Sequence, residues 1–122
     1  MHYKRIELKV TNQGIHERKI FQGVKIFSRS KLSKDQKSIL TQKLYLTPKQ
    51  NIVYYQRTDV NYDQNWHHKK DYYELTYGQL DRENVFKVCQ DFDELSPFLG
   101  NELLEKLKEK QATGKFFEKL DI

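Results

Sequence analysis

Residues 40–58 read Leu-Thr-Gln-Lys-Leu-Tyr-Leu-Thr-Pro-Lys-Gln-Asn-Ile-Val-Tyr-Tyr-Gln-Arg-Thr. Leu40, Leu44 and Leu46 share a face at a period of two, the mark of a strand with one side buried. Residues 52–58 are rich in the β-branched and aromatic side chains that suit a pleated surface. Between the two runs, Thr47-Pro48-Lys49-Gln50-Asn51 is a tight connection in which Pro48 fixes φ at a turn position. The stretch therefore predicts a β-hairpin, and the rest of the chain extends it.

Toward the N-terminus, residues 3–10 set Ile6, Leu8 and Val10 against Arg5, Glu7 and Lys9, a second alternating strand. Thr11-Asn12-Gln13-Gly14 supplies turn chemistry. A further alternating run over 18–28 aligns Ile20, Val24 and Ile26, with Phe21, Gly23 and Phe27 opposite, and the polar, basic residues 30–37 read as an exposed loop. Toward the C-terminus, residues 59–70 are polar, 71–77 form a strand ended by Gly78, and 84–89 form a short strand. In that last strand either Phe86 and Val88 or Val85 and Cys89 face inward.

After residue 90 the period changes. Asp91 with Glu94 three positions on is the signature of a capping box opening a helix. Pro97 and Gly100 interrupt. A second helix is expected over 101–111, anchored by Leu103, Leu104 and Leu107 and ended by Thr113-Gly114, and Phe116, Phe117 and Leu120 fit a last helical turn. Strands followed by helices imply an α+β fold: a single antiparallel sheet of five or six strands with two or three C-terminal helices packed on one face. A closed small barrel capped by those helices is the alternative. At 122 residues the chain suffices for one core, so a single domain over 1–122 is expected, strand-rich over 1–90 and helical over 91–122. Leu, Ile, Val and Phe make up 33 residues, or 27%, above the roughly 20% below which charged chains stay disordered.

Composition narrows the chemistry. One cysteine, Cys89, allows neither an internal disulfide nor a thiolate-based zinc site, and its pairing-free thiol suits a reducing cytoplasm. The N-terminal alternation lacks the unbroken apolar run of a signal peptide, and no stretch approaches the roughly 20 apolar residues of a membrane span. A soluble cytoplasmic protein without membrane partners is the expectation. Trp66-His67-His68, with Asp63 and Asp71 nearby, is the nearest approach to a metal site, but adjacent residues of a strand point oppositely. A polar loop holding a packed indole explains it as well. No nucleophile stands in a Gly-x-Ser-x-Gly turn and no glycine-rich phosphate loop occurs. Asp91 and Asp93 read as capping residues. No catalytic residue, cofactor or metal is expected, and an enzyme of unrecognised type ranks behind two binding functions.

Charge and aromatic placement suggest those two. Residues 1–60 hold 13 Lys/Arg against 4 Asp/Glu, net +9, and residues 61–122 hold 9 against 13, net −4. The basic half meets either external phosphate or the acidic half of its own chain. Seven of the eight tyrosines and the only tryptophan fall between residues 45 and 77. Tyr54 and Tyr55 face opposite sides of their strand, as do Tyr72 and Tyr73, so one of each pair leaves the main core face. Tyr45, Tyr55, Arg57, Trp66, His67, His68 and Tyr73 form the candidate binding surface. Such a surface suits a protein partner or a second copy of the chain. Flanked by Lys43, Lys69 and Lys70, it also suits single-stranded nucleic acid, whose bases stack on aromatic rings. Cross-strand aromatic pairing that only stabilises the sheet is the alternative to both.

Glu118-Lys119-Leu120-Asp121-Ile122 matches the terminal E-x-L-D-I signature of the EXLDI protein family. Other segments similar to that family occur in order: Arg18-Lys19-Ile20-Phe21-Gln22-Gly23, Leu44-Tyr45-Leu46-Thr47-Pro48-Lys49, Asp91-Phe92-Asp93-Glu94-Leu95 and Asn101-Glu102-Leu103. The chain thus resembles an EXLDI protein over most of 16–122. The family is of unknown function. Some longer relatives resemble this domain preceded by a ribbon-helix-helix-like arm, which implies a sensor or partner-binding role for the part shared here. This chain opens on its first strand, and no such arm is expected ahead of it. In the signature, Glu118, Leu120, Asp121 and Ile122 read as structural, with Leu120 and Ile122 packed and Asp121 held by a cation of the basic half. Deleting residues 118–122 should lower the melting temperature by several degrees, because burying Leu and Ile contributes ~1.5–3 kcal/mol each. An unchanged melting curve would make the tail a tag read by a partner.

Overall fold

The computed structural model describes residues 3–61, 84–114 and 116. Five strands follow one another, β1 (Lys4–Asn12), β2 (Ile15–Leu32), β3 (Ser38–Leu46), β4 (Ile52–Val60) and β5 (Val85–Cys89). They form one antiparallel sheet in the order β1-β2-β3-β4-β5. The expected strand at 71–77 lies outside the described residues. The hairpin that anchors the sequence reading is present, with Leu46 opposite Ile52. Its connection is closed by Gln50 N–H donating to the Thr47 carbonyl at 2.9 Å and Thr47 N–H to the Asn51 carbonyl at 3.0 Å. The β1–β2 hairpin turns on Gln13 and Gly14, at φ +53° and +77°. Two left-handed residues are what a two-residue turn needs to match the twist of its strands.

β2 departs most from the sequence reading. It runs on to Leu32, so the loop expected at 30–37 shrinks to 33–37. Its first half, Ile15 to Gly23, pairs with β1, and its second half, Val24 to Leu32, pairs with β3. Between Lys25 and Phe27 the register slips by one residue, a β-bulge that bends the strand and switches its side-chain parity. Simple alternation put Phe27 opposite Val24 and Ile26; after the bulge it joins them on the same core. Ile20, expected in register with Val24, is instead 54% exposed.

The bend lays the β1–β2 arm across one face of the remaining sheet. Leu8 and Val10 from the arm meet Tyr45, Val53 and Tyr55, with Ile6, Phe21 and Phe86 at the margin. On the opposite face Leu44, Leu46, Ile52, Tyr54 and Cys89 meet Phe92, Leu95, Leu99, Leu104 and Leu107 from the C-terminal part. The open parity of β5 is settled by this double burial: Val85 and Cys89 face the helical side and Phe86 faces the arm. Burial also pushes the Cys89 thiol pKa up, away from reactivity. The sheet curls until Asn84, just before β5, bonds to Thr11 of β1. Its side-chain oxygen accepts from Thr11 N–H at 2.7 Å, and its own N–H donates to the Thr11 carbonyl at 3.3 Å. This is short of the closed barrel, since no strand ladder joins β5 to β1 among the described residues.

The expected two or three helices reduce, among the described residues, to one, α1 (Asn101–Thr113). The capping box forms, with Asp91 accepting from Glu94 N–H and the Glu94 carboxylate accepting from the amides of Gln90 and Asp91. Those two amides hold the Glu94 carboxyl below its usual pKa. The box opens only a 3-10 turn, Phe92–Leu95. Pro97, lacking an N–H and crowding the preceding turn, stops propagation. The turn is short but drives Phe92 and Leu95 into the core at 1% and 0% exposure. α1 starts after Gly100, with no side-chain cap, and ends on Gly114 at φ +69°. Phe116 packs on Phe92 with ring centroids 6.3 Å apart. Residues Phe117 and Glu118 to Ile122, on which the tail expectation falls, lie outside the described residues.

A buried polar group locks the two layers together. The Gln42 amide donates to Tyr54 Oη at 2.9 Å and to the Phe98 carbonyl at 3.2 Å, while its oxygen accepts from Arg29 Nε at 2.6 Å. It is 3% exposed, so each of these bonds replaces one that water supplies in the unfolded chain.

A Cβ placed on Gly23 would stand 2.9 Å from the Phe21 ring and 3.1 Å from the Leu46 carbonyl oxygen. The ring can shift; the carbonyl, part of the sheet backbone, cannot without moving β3. Gly23→Ala should cost about 1–3 kcal/mol in urea unfolding. Gly100→Ala, where an added Cβ meets nothing within 4 Å, should cost less than about 1 kcal/mol.

Candidate functional site

The residues singled out from sequence do not assemble into one surface. Tyr45 and Tyr55 do share a face of adjacent strands, since Tyr45 stands opposite Val53 and Tyr55 opposite Lys43. They are nevertheless core residues, 4% and 3% exposed. The arm covers them: Tyr55 Oη donates to the Lys9 carbonyl at 2.6 Å, and the Phe21 ring meets Tyr45 edge-on at 5.5 Å. Tyr54 points into the opposite core, stacked on Phe98 at 4.9 Å, with its hydroxyl donating to Gln56 Oε1. The alternation of Tyr54 and Tyr55 was read correctly, but both sides of β4 are buried, so neither ring leaves the core. Arg57 is exposed and bonded to Asp59 at 2.8 Å, a contact that raises its pKa further. Trp66, His67, His68 and Tyr73 lie outside the described residues.

Between described residues, Arg5 and Arg18 pair with Glu7 at 3.4 Å each, and Lys19 with Glu17 at 2.7 Å. Lys108 pairs with Asp93 and Glu105, and Lys106 with Glu102. These pairs join residues brought together by one strand, one hairpin, or the helix and the turn before it. Such exposed pairs contribute little.

What the sequence did not reveal is a groove of about 550 Å³ beside the arm. Its floor is Phe21, Val53 and Phe86, the outer edge of the second core. Ile20 and Val88, each 54% exposed, stand on either side. Arg18, Lys19 and Lys49 bring positive charge to it, and the Lys19 ammonium lies 5.6 Å from the centre of the Phe86 ring. Five consecutive residues of β2, Arg18 to Gln22, line it, and β1 lends none. Over that stretch β2 has β1 on one edge and no strand on the other among the described residues. The signal was present as Ile20, an apolar residue between Lys19 and Phe21, but alternation alone assigned it inward.

The lining offers amides, a threonine, cations and apolar surface. Among the described residues it holds no carboxylate, imidazole or thiol to act as a general base or nucleophile. The concavity and its apolar floor with a few polar groups are the features of a binding site. Among the described residues, no cluster of three or more His, Cys, Asp or Glu could hold a metal ion, and no helix is long and apolar enough to cross a membrane. No family model, curated protein or solved structure matches this chain.

The three interior tyrosines give the buried platform a pH signature. Burial raises the pKa of Tyr45, Tyr54 and Tyr55 above the ordinary value of 10.0. The unfolded chain therefore loses these protons first as pH rises. The stability they contribute should be complete below pH ~10 and fall as the pH climbs through the folded-state values. Denaturant midpoints across alkaline pH, with phenolate absorbance followed in parallel, check this. Solvent-facing rings would ionise without any loss of stability.

Proposed function

We propose that this protein is a non-enzymatic binding module whose recognition surface is the groove between the β1–β2 arm and the β5 end of the sheet. The observation that carries this reading is the pair Ile20 and Val88, half-exposed on either side of an apolar floor under Arg18, Lys19 and Lys49. Apolar side chains left open around a concave site mark a place where a partner removes them from water. A protein segment is the ligand proposed, in a regulatory or sensing role within the cytoplasm. Membership of the EXLDI family is proposed with it, on the five sequence segments that resemble that family.

Single-stranded nucleic acid is the alternative. Its support is the charge of residues 1–60, since Tyr45 and Tyr55 are interior and present no stacking face. Selection from a random-peptide library against the intact protein, beside a labelled oligonucleotide at two salt concentrations, separates the readings. Convergence on peptides that no longer bind Val88→Lys, while its melting temperature is unchanged, is the expected result. Failure of the library to converge, together with oligonucleotide binding that weakens steeply with salt, would favour nucleic acid.

A further inference from the structure

The groove has a side that apolar burial alone does not explain, namely the backbone of β2. β2 pairs with β1 only over Ile15 to Gly23 and with β3 only over Val24 to Leu32, so that beside the groove the stretch from Ile15 to Gly23 has, among the described residues, a strand partner only in β1. An open edge presents a row of unused N–H and C=O groups to any extended chain that can reach it. Edges are usually blunted by proline, a bulge or a covering segment. Here the sequence from Ile15 to Gly23 contains no proline, and the bulge falls beyond it, between Lys25 and Phe27. Nine consecutive β1–β2 pairs keep the segment regular.

We infer that β2 residues 16–22 take up an extended acidic peptide as an added strand, its alternate apolar side chains seated in the groove on Phe21, Val53 and Phe86. This deepens the binding-module reading and rests on it. Strand addition supplies affinity through main-chain bonds and specificity through pockets for every second side chain. The seven residues of the edge span about 23 Å, enough for a peptide of similar length.

Charge selects the occupant. Arg18, Lys19 and Lys49 stand around the groove. Lys19 is already paired with Glu17 at 2.7 Å, whereas the Arg18 side chain is 70% exposed in a loose contact with Glu7 and Lys49 has no ion pair among the described residues. Carboxylates on the incoming strand meet Arg18 and Lys49. A second copy adding through the same edge would set Arg18 and Lys19 against themselves, a like-charge arrangement that discriminates against self-pairing.

The test uses the intact protein and a fluorescent octapeptide alternating valine with glutamate. Its companions are a twin with lysine for glutamate and two versions N-methylated at alternate amides, in opposite frames. The acidic peptide should bind and the lysine twin should bind about tenfold more weakly, or less. One N-methylated frame should lose binding while the other keeps it, because only one edge of the added strand faces β2. Arg18→Glu, a surface change whose folding is checked by its melting curve, should narrow or reverse the preference between the acidic peptide and the lysine twin. Equal binding of both N-methylated frames overturns strand addition while leaving the groove as a binding site. Failure of the acidic peptide while the library yields other ligands at Val88 overturns the acidic-strand assignment alone. Failure of both removes the binding-module reading as well. Concentration-dependent dimerisation that Arg18→Glu alters would make a second copy the occupant and overturn the inference.

Discussion

β2 changes partners at Gly23, and the rest of the molecule is arranged around that change. An eighteen-residue strand cannot stay flat and serve β1 and β3 along one line while also covering the sheet it belongs to. The absence of a side chain at Gly23 lets the backbone pass close to the Leu46 carbonyl and under the Phe21 ring, and the bulge two residues later completes the bend. The arm then lies over Tyr45, Val53 and Tyr55 and converts what would be a wet face into a second core. Tyr55 Oη on the Lys9 carbonyl and the two bonds between Asn84 and Thr11 hold the arm down at separate points.

The other face is closed by different means. There the leucines of α1 and the pair Phe92 and Leu95 provide apolar cover, and Gln42 provides direction. Hydrophobic contact alone does not fix how a layer sits, because it is not directional. A buried amide that must satisfy Tyr54, Phe98 and Arg29 together accepts few placements of the connection between the 3-10 turn and α1.

The groove is a by-product of the same bend. Swinging the arm across the sheet partly buries Phe21 but leaves one edge of β2 over Ile15 to Gly23 without a strand among the described residues, and Ile20, like Val88, half in water. The proposed recognition surface thus consists not of the tyrosines, which the sequence made conspicuous, but of aliphatic and cationic residues beside them. Tyr45 still bears on the site indirectly, as the ring against which Phe21 is set.

Much of the local structure was legible in the sequence. Period-two alternation in 3–10 and 40–58, the Pro48 connection, the Asp91–Glu94 capping box and the leucine stripe ended by Thr113-Gly114 are short-range patterns, and short-range physics decides them. The antiparallel sheet backed by a C-terminal helix follows from those alone. The second core, the extent of β2 and the site were not legible. Alternation says which residues share a side, but not whether a remote segment covers that side, so Tyr55 and Ile20 each had an orientation and no burial. A one-residue bulge leaves no compositional trace, yet it reverses the parity of everything after it, which is why Phe27 changed sides. Burial on both faces of β4 and the change of partner along β2 depend on contacts between residues far apart in the chain, and only the folded arrangement determines those.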